Sequence, residues 1–541
     1  MRVREAILNY LIKNDIKTLY GIPSGTFSAI ADCIDDFDEI ELVIPKNEAA
    51  AGFSATKYAR VSNKLGVCIL AGSVGVANAM NGIAEAEQTK SPVLVIGGYV
   101  NQPDQNLGAI QELEGHRLVK NIVKYYTVVE NEKETLPKLK EAMEKALEYP
   151  RGPVFVGIPV NIQREEYTGE DVEKASVKNV KTDYSSLDKA VNIINNCKNG
   201  VILLGGGCRG LSDKIKKLEE KLNWRIFYTS GGKGIIEDDY RLNMGNYGFC
   251  STDLASEYMQ RDDIECVLAL GSQLGELATN YFDKTLFENR KLIHIDVDKK
   301  VFEKAFKADL PIIADLNDAL DYLCKIDKKD LNNDIKESKN KPYVKDHTGL
   351  SMRLLYENIT NVLPKNTFYM QDIGLSMAFA YKYLSVSKDG EFECNPTYGC
   401  MGSSVGALGV SRLYPNRPIA VFIGDGSFYM NGMSELLTAK KYNMNILYFV
   451  INNSALGLVA KGQKSVYGRA HKGFFNEDID IHKIVEAMGI PSIQINDSQQ
   501  INGLKDLLKD KKGPIVIDVV TNLSENIYID RFKTLKTETN S

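Results

Sequence analysis

Short apolar runs alternate with segments of helical spacing along most of the chain. The first series predicts a helix at 2–14 and strands at Thr18–Gly21, Glu41–Pro45, Gly66–Leu70, Val93–Ile96 and Val154–Ile158. Strands that alternate with helices in this way are typical of βαβ units, whose strands lie parallel in one sheet. We therefore predict a parallel α/β domain over residues 1–163.

The same alternation recurs twice further along the chain. A Rossmann-like central domain is predicted over 187–325, with strands at Val201–Leu204, Arg225–Tyr228, Cys266–Leu270 and Lys291–Asp296. A third domain is predicted over 346–531, ending with the strand Pro514–Val520. Two charged stretches without apolar periodicity, Arg164–Ser186 and Lys325–Lys345, are predicted to be linkers. The predicted fold class is thus α/β, with three doubly wound parallel-sheet domains, of which the first and third share a layout.

The composition narrows the class of protein. With 541 residues, of which 44% are hydrophobic, the chain exceeds the roughly 300 residues at which a single core stops growing. The net charge of −5 includes no basic block, which argues against nucleic acid or an anionic membrane as a partner. The apolar runs are too short to span a bilayer, and the charged first segment does not resemble a signal peptide. We expect a cytoplasmic protein whose cysteines, such as Cys68 and Cys266, are small buried hydrophobic residues.

The most informative stretch runs from Pro418 to Val459 and contains two apolar strands, each followed by a polar cluster. Gly424-Asp425-Gly426 follows the first strand, and Asn452-Asn453 follows the second. Because a helical segment separates them, the strands should lie parallel with their carboxyl ends at one sheet edge. A carboxylate and an amide oxygen brought together there are suited to Mg²⁺ and a diphosphate. Either cluster alone is more simply a turn.

The two clusters together, 28 residues apart from Asp425 to Asn453, resemble the signature of thiamine diphosphate enzymes, the family of acetolactate synthase, pyruvate oxidase and the 2-oxo acid decarboxylases. This resemblance implies that Asp425, the Asn453 side chain and the Ala455 carbonyl bind the metal ion. It implies further cofactor contacts from Gly424, Gly426, Ser427, Leu456 and Gly457. The chain is one residue longer between the two clusters than many family members.

The amino-terminal segments 20–30, 45–69 and 80–98 resemble acetolactate synthases and pyruvate oxidases in order and spacing. In that family a glutamate at the position of Glu48 hydrogen-bonds the cofactor's aminopyrimidine ring and helps to deprotonate the thiazolium carbon. A glutamate in the first turn of a helix also simply complements the helix dipole, and this is the alternative explanation.

Other positions acquire roles from the same resemblance. Ser24 and Gly25 lie in a turn that would face the reactive carbon, and Gln111 would hydrogen-bond the substrate. Met401 resembles the hydrophobic residue that bends the cofactor, although methionine is also a common core residue. Leu458 and Val459 would form walls of the substrate pocket. The alternatives for Gly25 and Gln111 are an ordinary tight turn and an exposed loop.

Two features depart from the synthase pattern. Ser73-Val74-Gly75 resembles the pyruvate decarboxylase branch and places Ser73 at the cofactor, but the histidine pair of that branch is missing. His116 stands alone among charged neighbours and is predicted to lie at the surface.

The central domain contains a glycine-rich turn, Gly205–Gly210, but no acidic residue follows the next strand to hold a ribose. The turn Gly271–Leu274 lacks the arginine of flavin-bearing synthases, so FAD is possible but not favoured. Lys233 and Asp296 match the general pattern of the domain and are interpreted as structural.

The resemblance implies a Mg²⁺- and thiamine diphosphate-dependent enzyme that decarboxylates a 2-oxo acid and transfers the acyl anion equivalent to an acceptor carbonyl. It also implies a homodimer or homotetramer, in which Glu48 of one chain meets Asp425 and Asn453 of another. A decarboxylase that releases an aldehyde, or an FAD-dependent oxidase, remains open as an alternative. A catalytically silent homologue is disfavoured because Glu48 and both metal-binding side chains are present.

Overall fold

A computed structural model describes residues 1–177, 179–329, 338–509 and 512–529. Its strands form three six-stranded sheets, and all the described neighbouring strands run parallel. This confirms the predicted fold class. Part of the predicted linker Lys325–Lys345 and the predicted end of the third domain at 531 lie outside the described residues.

The first sheet has the strand order β2-β1-β3-β4-β6-β5. Its strands are β1 (Thr18–Tyr20), β2 (Glu41–Val43), β3 (Gly66–Ala71), β4 (Val93–Tyr99), β5 (Tyr125–Val128) and β6 (Pro153–Pro159). The helices around it are α1 (Val3–Lys13), α2 (Ser28–Cys33), α3 (Glu48–Ser62), α4 (Val74–Gln88), α5 (Gly115–Val119), α6 (Thr135–Leu147) and α7 (Val160–Arg164). Strand β5 was not predicted, because its side chains are only partly buried and its sequence has no clear apolar alternation.

The central sheet has the order β12-β11-β10-β7-β8-β9. Its elements are α8 (Tyr184–Asn196), β7 (Gly200–Leu204), α9 (Ser212–Leu222), β8 (Arg225–Tyr228), β9 (Asn243–Asn246), α10 (Asp253–Tyr258), β10 (Cys266–Leu270), β11 (Lys291–Asp296), β12 (Leu310–Ile313) and α11 (Leu316–Leu323). Counted from β7, this is the order 3-2-1-4-5-6 of dinucleotide-binding Rossmann folds. The edge strands β9 and β12 were not predicted. Helix α8 begins at Tyr184, inside the predicted linker Arg164–Ser186.

The third sheet has the order β14-β13-β15-β16-β18-β17, which repeats the order of the first sheet strand for strand. Its strands are β13 (Phe368–Gln371), β14 (Glu391–Glu393), β15 (Ile419–Gly424), β16 (Ile446–Asn452), β17 (Ser492–Ile495) and β18 (Ile515–Val520). Its helices are α12 (Met352–Val362), α13 (Leu375–Tyr383), α14 (Ala407–Leu413), α15 (Asp425–Ser427), α16 (Met433–Lys441), α17 (Gly457–Tyr467), α18 (Ile481–Ala487) and α19 (Gln500–Leu508). A single π turn, Phe428–Gly432, joins α15 to α16 without a break.

The first and third units pack against each other through one shared hydrophobic core. Helix α3 lies against α14 so closely that a Cβ atom on Gly409 would lie 2.1 Å from the Ser54 carbonyl oxygen. Beside this contact, the buried Lys57 ammonium bridges Glu85 of α4 and Glu393 of β14. Glycine at the contact and a paired buried charge therefore fix α3 against the third unit.

No helix in the described part of the chain is long and apolar enough to cross a membrane.

Candidate functional site

The two polar clusters of the third unit lie side by side at the carboxyl edge of its sheet. Strands β15 and β16 are neighbours, and Gly424 is paired with Ile451. The Asp425 side chain is nearly fully buried, and its Oδ2 accepts a 3.1 Å hydrogen bond from the Ala455 N–H. Burial raises the pKa of Asp425 to about 6. Burying a charged carboxylate costs free energy, and a nearby positive charge compensates that cost.

The surrounding donor set fits a hard cation. The Oδ1 atom of Asn453 is buried and has no hydrogen-bond partner among the described residues. The Ala455 carbonyl accepts the Gly457 N–H at 2.9 Å and keeps a second lone pair. A buried carboxylate, an orphaned amide oxygen and a backbone carbonyl are the oxygen ligands that Mg²⁺ takes in proteins. These residues therefore fit a magnesium ion.

Glycine is required beside the acidic residue. A Cβ atom on Gly426 would lie 2.8 Å from Leu456 Cδ2 and 3.2 Å from Met401 Cε, so both side chains converge over this backbone. On Gly424, in contrast, a Cβ atom would meet nothing within 4 Å. The backbone between the two glycines thus borders open space on one side and the Met401 and Leu456 side chains on the other.

A buried aspartate that was not singled out from the sequence holds this region together. Asp372, directly after β13, accepts hydrogen bonds of 3.0 Å from the N–H groups of Gly402 and Ser404. It also accepts one of 3.0 Å from the Ser427 hydroxyl. Asp372 therefore ties the Met401 loop to the loop that carries Asp425. The signal was present in the sequence, because Asp372 follows an apolar strand just as Asp425 does.

The other acidic residue of interest lies in the first unit. Glu48 opens α3 and is half-buried, and its Oε2 accepts a 3.0 Å hydrogen bond from Asn78 of α4. The helix begins here because the Asn47 side chain caps it by accepting the Ala49 N–H at 2.8 Å. Gly75 lies across from Glu48: a Cβ atom there would be 3.6 Å from Glu48 Oε1, at ordinary van der Waals distance.

Comparison with known proteins agrees with this arrangement. Three family models match in chain order: the thiamine pyrophosphate enzyme N-terminal TPP binding domain over residues 1–118, the central domain over 187–323, and the C-terminal TPP binding domain over 372–519.

The chain belongs to the thiamine diphosphate enzyme family.

Its relatives include acetolactate synthases over almost their full length. It is 25% identical over 548 residues to the acetolactate synthase large subunit of Buchnera aphidicola subsp. Schizaphis graminum, covering 97% of this chain and 95% of that protein. It is 27% identical over 542 residues to a probable acetolactate synthase large subunit of Methanococcus aeolicus, covering 93% and 89%. The large subunit of acetolactate synthase isozyme 3 of Escherichia coli K12 is 26% identical over 551 residues, covering 97% and 95%. The protein is thus a thiamine diphosphate-dependent enzyme of the carboligase and decarboxylase class.

The remaining predicted site residues of this thiamine diphosphate enzyme lie on the first unit. Ser73, before α4, is buried and its hydroxyl has no partner among the described residues. Gly25 is exposed, and a Cβ atom there would meet nothing within 4 Å, so the turn leaves open space. Gln111 lies on a loop with a positive φ of 65° next to Ile110, which is 90% exposed. Within one chain, neither Gly25 nor Gln111 forms a hydrogen bond with Glu48 among the described residues.

His116 is not the surface residue that was predicted. It is half-buried, its Nδ1 lies 2.9 Å from the Tyr99 hydroxyl, and its ring stacks on Tyr126 at 5.4 Å. Charged neighbours in the sequence suggested exposure, but the α5 backbone turns this side chain towards two aromatic rings.

The residues of the central domain that were interpreted as structural form hydrogen bonds with other parts of this enzyme. The buried Lys233 donates a 2.7 Å hydrogen bond to the Leu384 carbonyl oxygen of the third unit. Asp296, at the end of β11, accepts the Asp298 N–H at 2.9 Å, and burial raises its pKa to about 6. In the glycine-rich turn, Arg209 is paired with Glu393 at 2.8 Å. The contacts of Lys233 and Arg209 join the central domain to the third unit.

Proposed function

We propose that the protein is a Mg²⁺-dependent, acetolactate synthase-like enzyme that decarboxylates a 2-oxo acid, pyruvate or a close relative, and transfers the acyl anion equivalent to an acceptor carbonyl. The observation that carries the proposal is the convergence of buried Asp425, the orphaned Asn453 Oδ1 and the Met401 side chain at one sheet edge. When bound there, thiamine diphosphate supplies the nucleophilic carbon and holds the electron pair that CO2 leaves behind.

In this proposal the third unit anchors the charged end of the cofactor. Asp425, Asn453 and the Ala455 carbonyl hold the magnesium ion, because they supply three oxygen ligands from one corner. The remaining contacts to the diphosphate come from Gly424, Gly426, Ser427, Leu456 and Gly457, where backbone N–H groups lie at the starts of helices. Met401, whose side chain lies over Gly426, would be the apolar residue that supports the cofactor rings.

The first unit supplies the proton chemistry. Glu48 donates a hydrogen bond to the aminopyrimidine ring, and Asn78 holds its carboxyl group in place. Ser73 borders the ring, Gly25 leaves space for the substrate, and Gln111 hydrogen-bonds the substrate. Leu458 and Val459 form walls of the pocket.

We propose a homodimer, in which Glu48 of one protomer faces the metal site of its partner. Glu48 is only half-buried in a single chain. Large apolar side chains also remain exposed on the elements that border both half-sites, namely Val74 (54%), Leu113 (53%), Met430 (58%), Leu437 (40%) and Val459 (50%). A partner chain would bury them. Two such dimers would form the proposed tetramer.

We also retain the predicted domain bounds of 1–163, 187–325 and 346–531 as part of the proposal. None of the nine cysteines, which all lie among the described residues, forms a disulfide bond. This is the state expected in a reducing compartment such as the cytoplasm, which is the location we propose.

Aldehyde release is the second candidate outcome, and Ser73-Val74-Gly75 favours it. The adjacent histidine pair of that branch is missing from the sequence, however, and His116 contacts Tyr99 and Tyr126. Oxidation through FAD is the third outcome. The turn Gly271–Leu274 lacks the arginine of flavin-bearing synthases, which disfavours FAD. We therefore place ligation first.

A product assay tests the proposal. Purified protein is incubated with pyruvate, thiamine diphosphate and Mg²⁺, and acetolactate, acetaldehyde and peroxide are measured together with the visible spectrum of a bound flavin. We expect acetolactate as the main product and no flavin spectrum. Acetaldehyde alone would favour the decarboxylase, and peroxide with a flavin spectrum would favour the oxidase. No product from pyruvate or several other 2-oxo acids would contradict all three.

A further inference from the structure

A second buried carboxylate connects the third unit to the segment that carries Glu48. Glu435 of α16 is 1% exposed and lies within the hydrophobic core shared by the first and third units. Its Oε1 accepts the N–H groups of Lys46 at 2.9 Å and of Asn47 at 3.1 Å. Its Oε2 accepts the Thr438 hydroxyl at 2.7 Å. Burying a carboxylate is costly, so three donors directed at one group indicate a specific task.

The two backbone groups that Glu435 holds directly precede Glu48. Asn47 is the residue that caps α3, and Glu48 is the first residue of that helix. The direction in which the chain enters the helix decides where the side chain of its first residue points. Glu435 therefore acts on the orientation of Glu48 through two peptide groups, without touching its side chain.

The same helix supplies a second anchor to this segment. Tyr442, directly after α16, accepts the Ile44 N–H at 2.9 Å and donates to the Leu42 carbonyl oxygen at 3.1 Å. The stretch from the end of β2 to the start of α3 is thus held at both ends by one element of the third unit. That element is continuous, through the π turn, with α15, which begins at Asp425.

We propose that Glu435 is the positioning residue for Glu48: it fixes the entry of α3 so that the Glu48 carboxyl group is directed at the cofactor. This inference rests on the proposed role of Glu48. In the proposed dimer, one rigid helix would then carry both the metal site of one cofactor and the support for the glutamate that activates the other.

The first test uses the protein without cofactor and measures backbone hydrogen exchange by mass spectrometry over residues 44–52. In Glu435→Gln the amides of 46 and 47 lose a charged acceptor, and we expect them to exchange about fivefold faster or more. Thr438→Val keeps the carboxylate but removes one of its donors, and we expect a smaller acceleration. Glu219→Gln removes a buried carboxylate of the central domain and should leave this peptide unchanged.

The second test measures, by quenched-flow NMR, how fast the thiazolium C2 proton of bound thiamine diphosphate exchanges with deuterium. In Glu435→Gln we expect this rate to fall about tenfold or more, while the Kd for thiamine diphosphate with Mg²⁺ stays within about threefold. A general loss of structure would also raise the Kd. Slower C2 exchange at an unchanged Kd therefore excludes that explanation. Thr438→Val serves if Glu435→Gln does not fold.

Three results have distinct meanings. Faster amide exchange together with slower C2 exchange supports the positioning role. Unchanged rates in Glu435→Gln, alongside slow C2 exchange in Glu48→Gln, would overturn the role of Glu435 alone. Fast C2 exchange in Glu48→Gln itself would overturn the proposed role of Glu48, and with it the reason for positioning that residue.

Discussion

The first and third units share one strand order but differ in what stands at the ends of equivalent strands. In the third unit, β15 and β16 are followed by Asp425 and by Asn453, which form the polar corner that we propose as the metal site. The equivalent strands of the first unit, β3 and β4, are followed by Gly72-Ser73 and Val100. The only acidic group that we place at the cofactor in the first unit, Glu48, comes instead from the helix after β2.

The comparison indicates how one strand order can serve both ends of the cofactor in the proposed site. A diphosphate with its metal ion requires several charged or strongly polar groups at one point, whereas a flat aromatic ring requires small and apolar surroundings with one directed hydrogen bond. The fold supplies the same sheet edge to both, and the residues at the strand ends select the ligand. The two half-sites should therefore respond to mutation in different ways.

The largest effect is expected at the first unit. Glu48→Gln should lower kcat by about 10³-fold, because the amide cannot shuttle a proton to the cofactor ring. The Kd for thiamine diphosphate with Mg²⁺ should stay within about threefold, since Glu48 contributes little to anchoring. Steady-state kinetics and calorimetry measure the two quantities. Glu39→Gln, at an exposed residue, is the control. If Glu48→Gln weakened cofactor binding as strongly as it lowers kcat, the two half-sites would not differ in the way we propose.

At the third unit we expect the opposite, a large change in the affinity for the cofactor. Asp425→Asn removes a charged metal ligand worth about 3 kcal/mol, so the Kd for the cofactor with Mg²⁺ should rise about 100-fold. Chelation of Mg²⁺ from the wild-type protein should have a comparable effect. Asp296→Asn is the matched control, because Asp296 is likewise a strand-end aspartate whose pKa burial raises to about 6. Equal effects of both substitutions on cofactor binding would contradict the metal assignment.

A smaller effect is expected from Met401. Met401→Ala removes the side chain that lies over Gly426, and we expect cofactor affinity to fall about tenfold because apolar contact is lost. Met401→Leu conserves most of the volume and should stay within about threefold. Calorimetric titration with thiamine diphosphate compares the two variants. An unchanged affinity in Met401→Ala would show that this side chain is ordinary core.

The last prediction extends the comparison to the central unit and concerns stability rather than activity. Burial raises the pKa of Asp296 above its usual value, so the folded protein binds this proton more tightly than the unfolded chain. The stabilisation is fully present below about pH 4 and is lost as the pH rises through about 6, by about 3 kcal/mol. Denaturant unfolding should show this decline in the wild type and a flatter profile in Asp296→Asn. Parallel profiles would argue against the shifted pKa.

The sequence predicted much of this architecture because buried parallel strands are continuous apolar runs. The strands that were predicted are of this kind, whereas the edge strands β5, β9, β12, β14 and β17 and the inner strand β13 were not predicted. Strand β9, for example, reads Asn-Met-Gly-Asn, and only its place beside β8 makes it a strand. The π turn at 428–432 likewise has no signal in residue preference.

The residues of the candidate site likewise divide into those that could be predicted from the sequence and those that could not. Asp425 and Asn453 could be predicted because each directly follows an apolar strand, and the topology of a crossover unit brings such strand ends together. Asp372 also directly follows a strand, but the roles of Asp372 and Glu435 could not be assigned from the sequence. Their partners are backbone N–H groups of segments distant in the chain, Gly402 with Ser404 in one case and Lys46 with Asn47 in the other. Such contacts appear only once the chain is folded.

The most direct measurement of the central claim uses mixed dimers of Glu48→Gln and Asp425→Asn, assayed at a cofactor concentration at which neither variant alone is active. If each active site combines Glu48 of one protomer with Asp425 of its partner, a mixed dimer contains one site with both native residues. Unfolding and refolding an equal mixture should therefore restore about a quarter of wild-type activity, because half of the dimers are mixed and each has one active site of two. Activity that stays at the level of the separate variants would contradict the shared site and place both half-sites within a single chain.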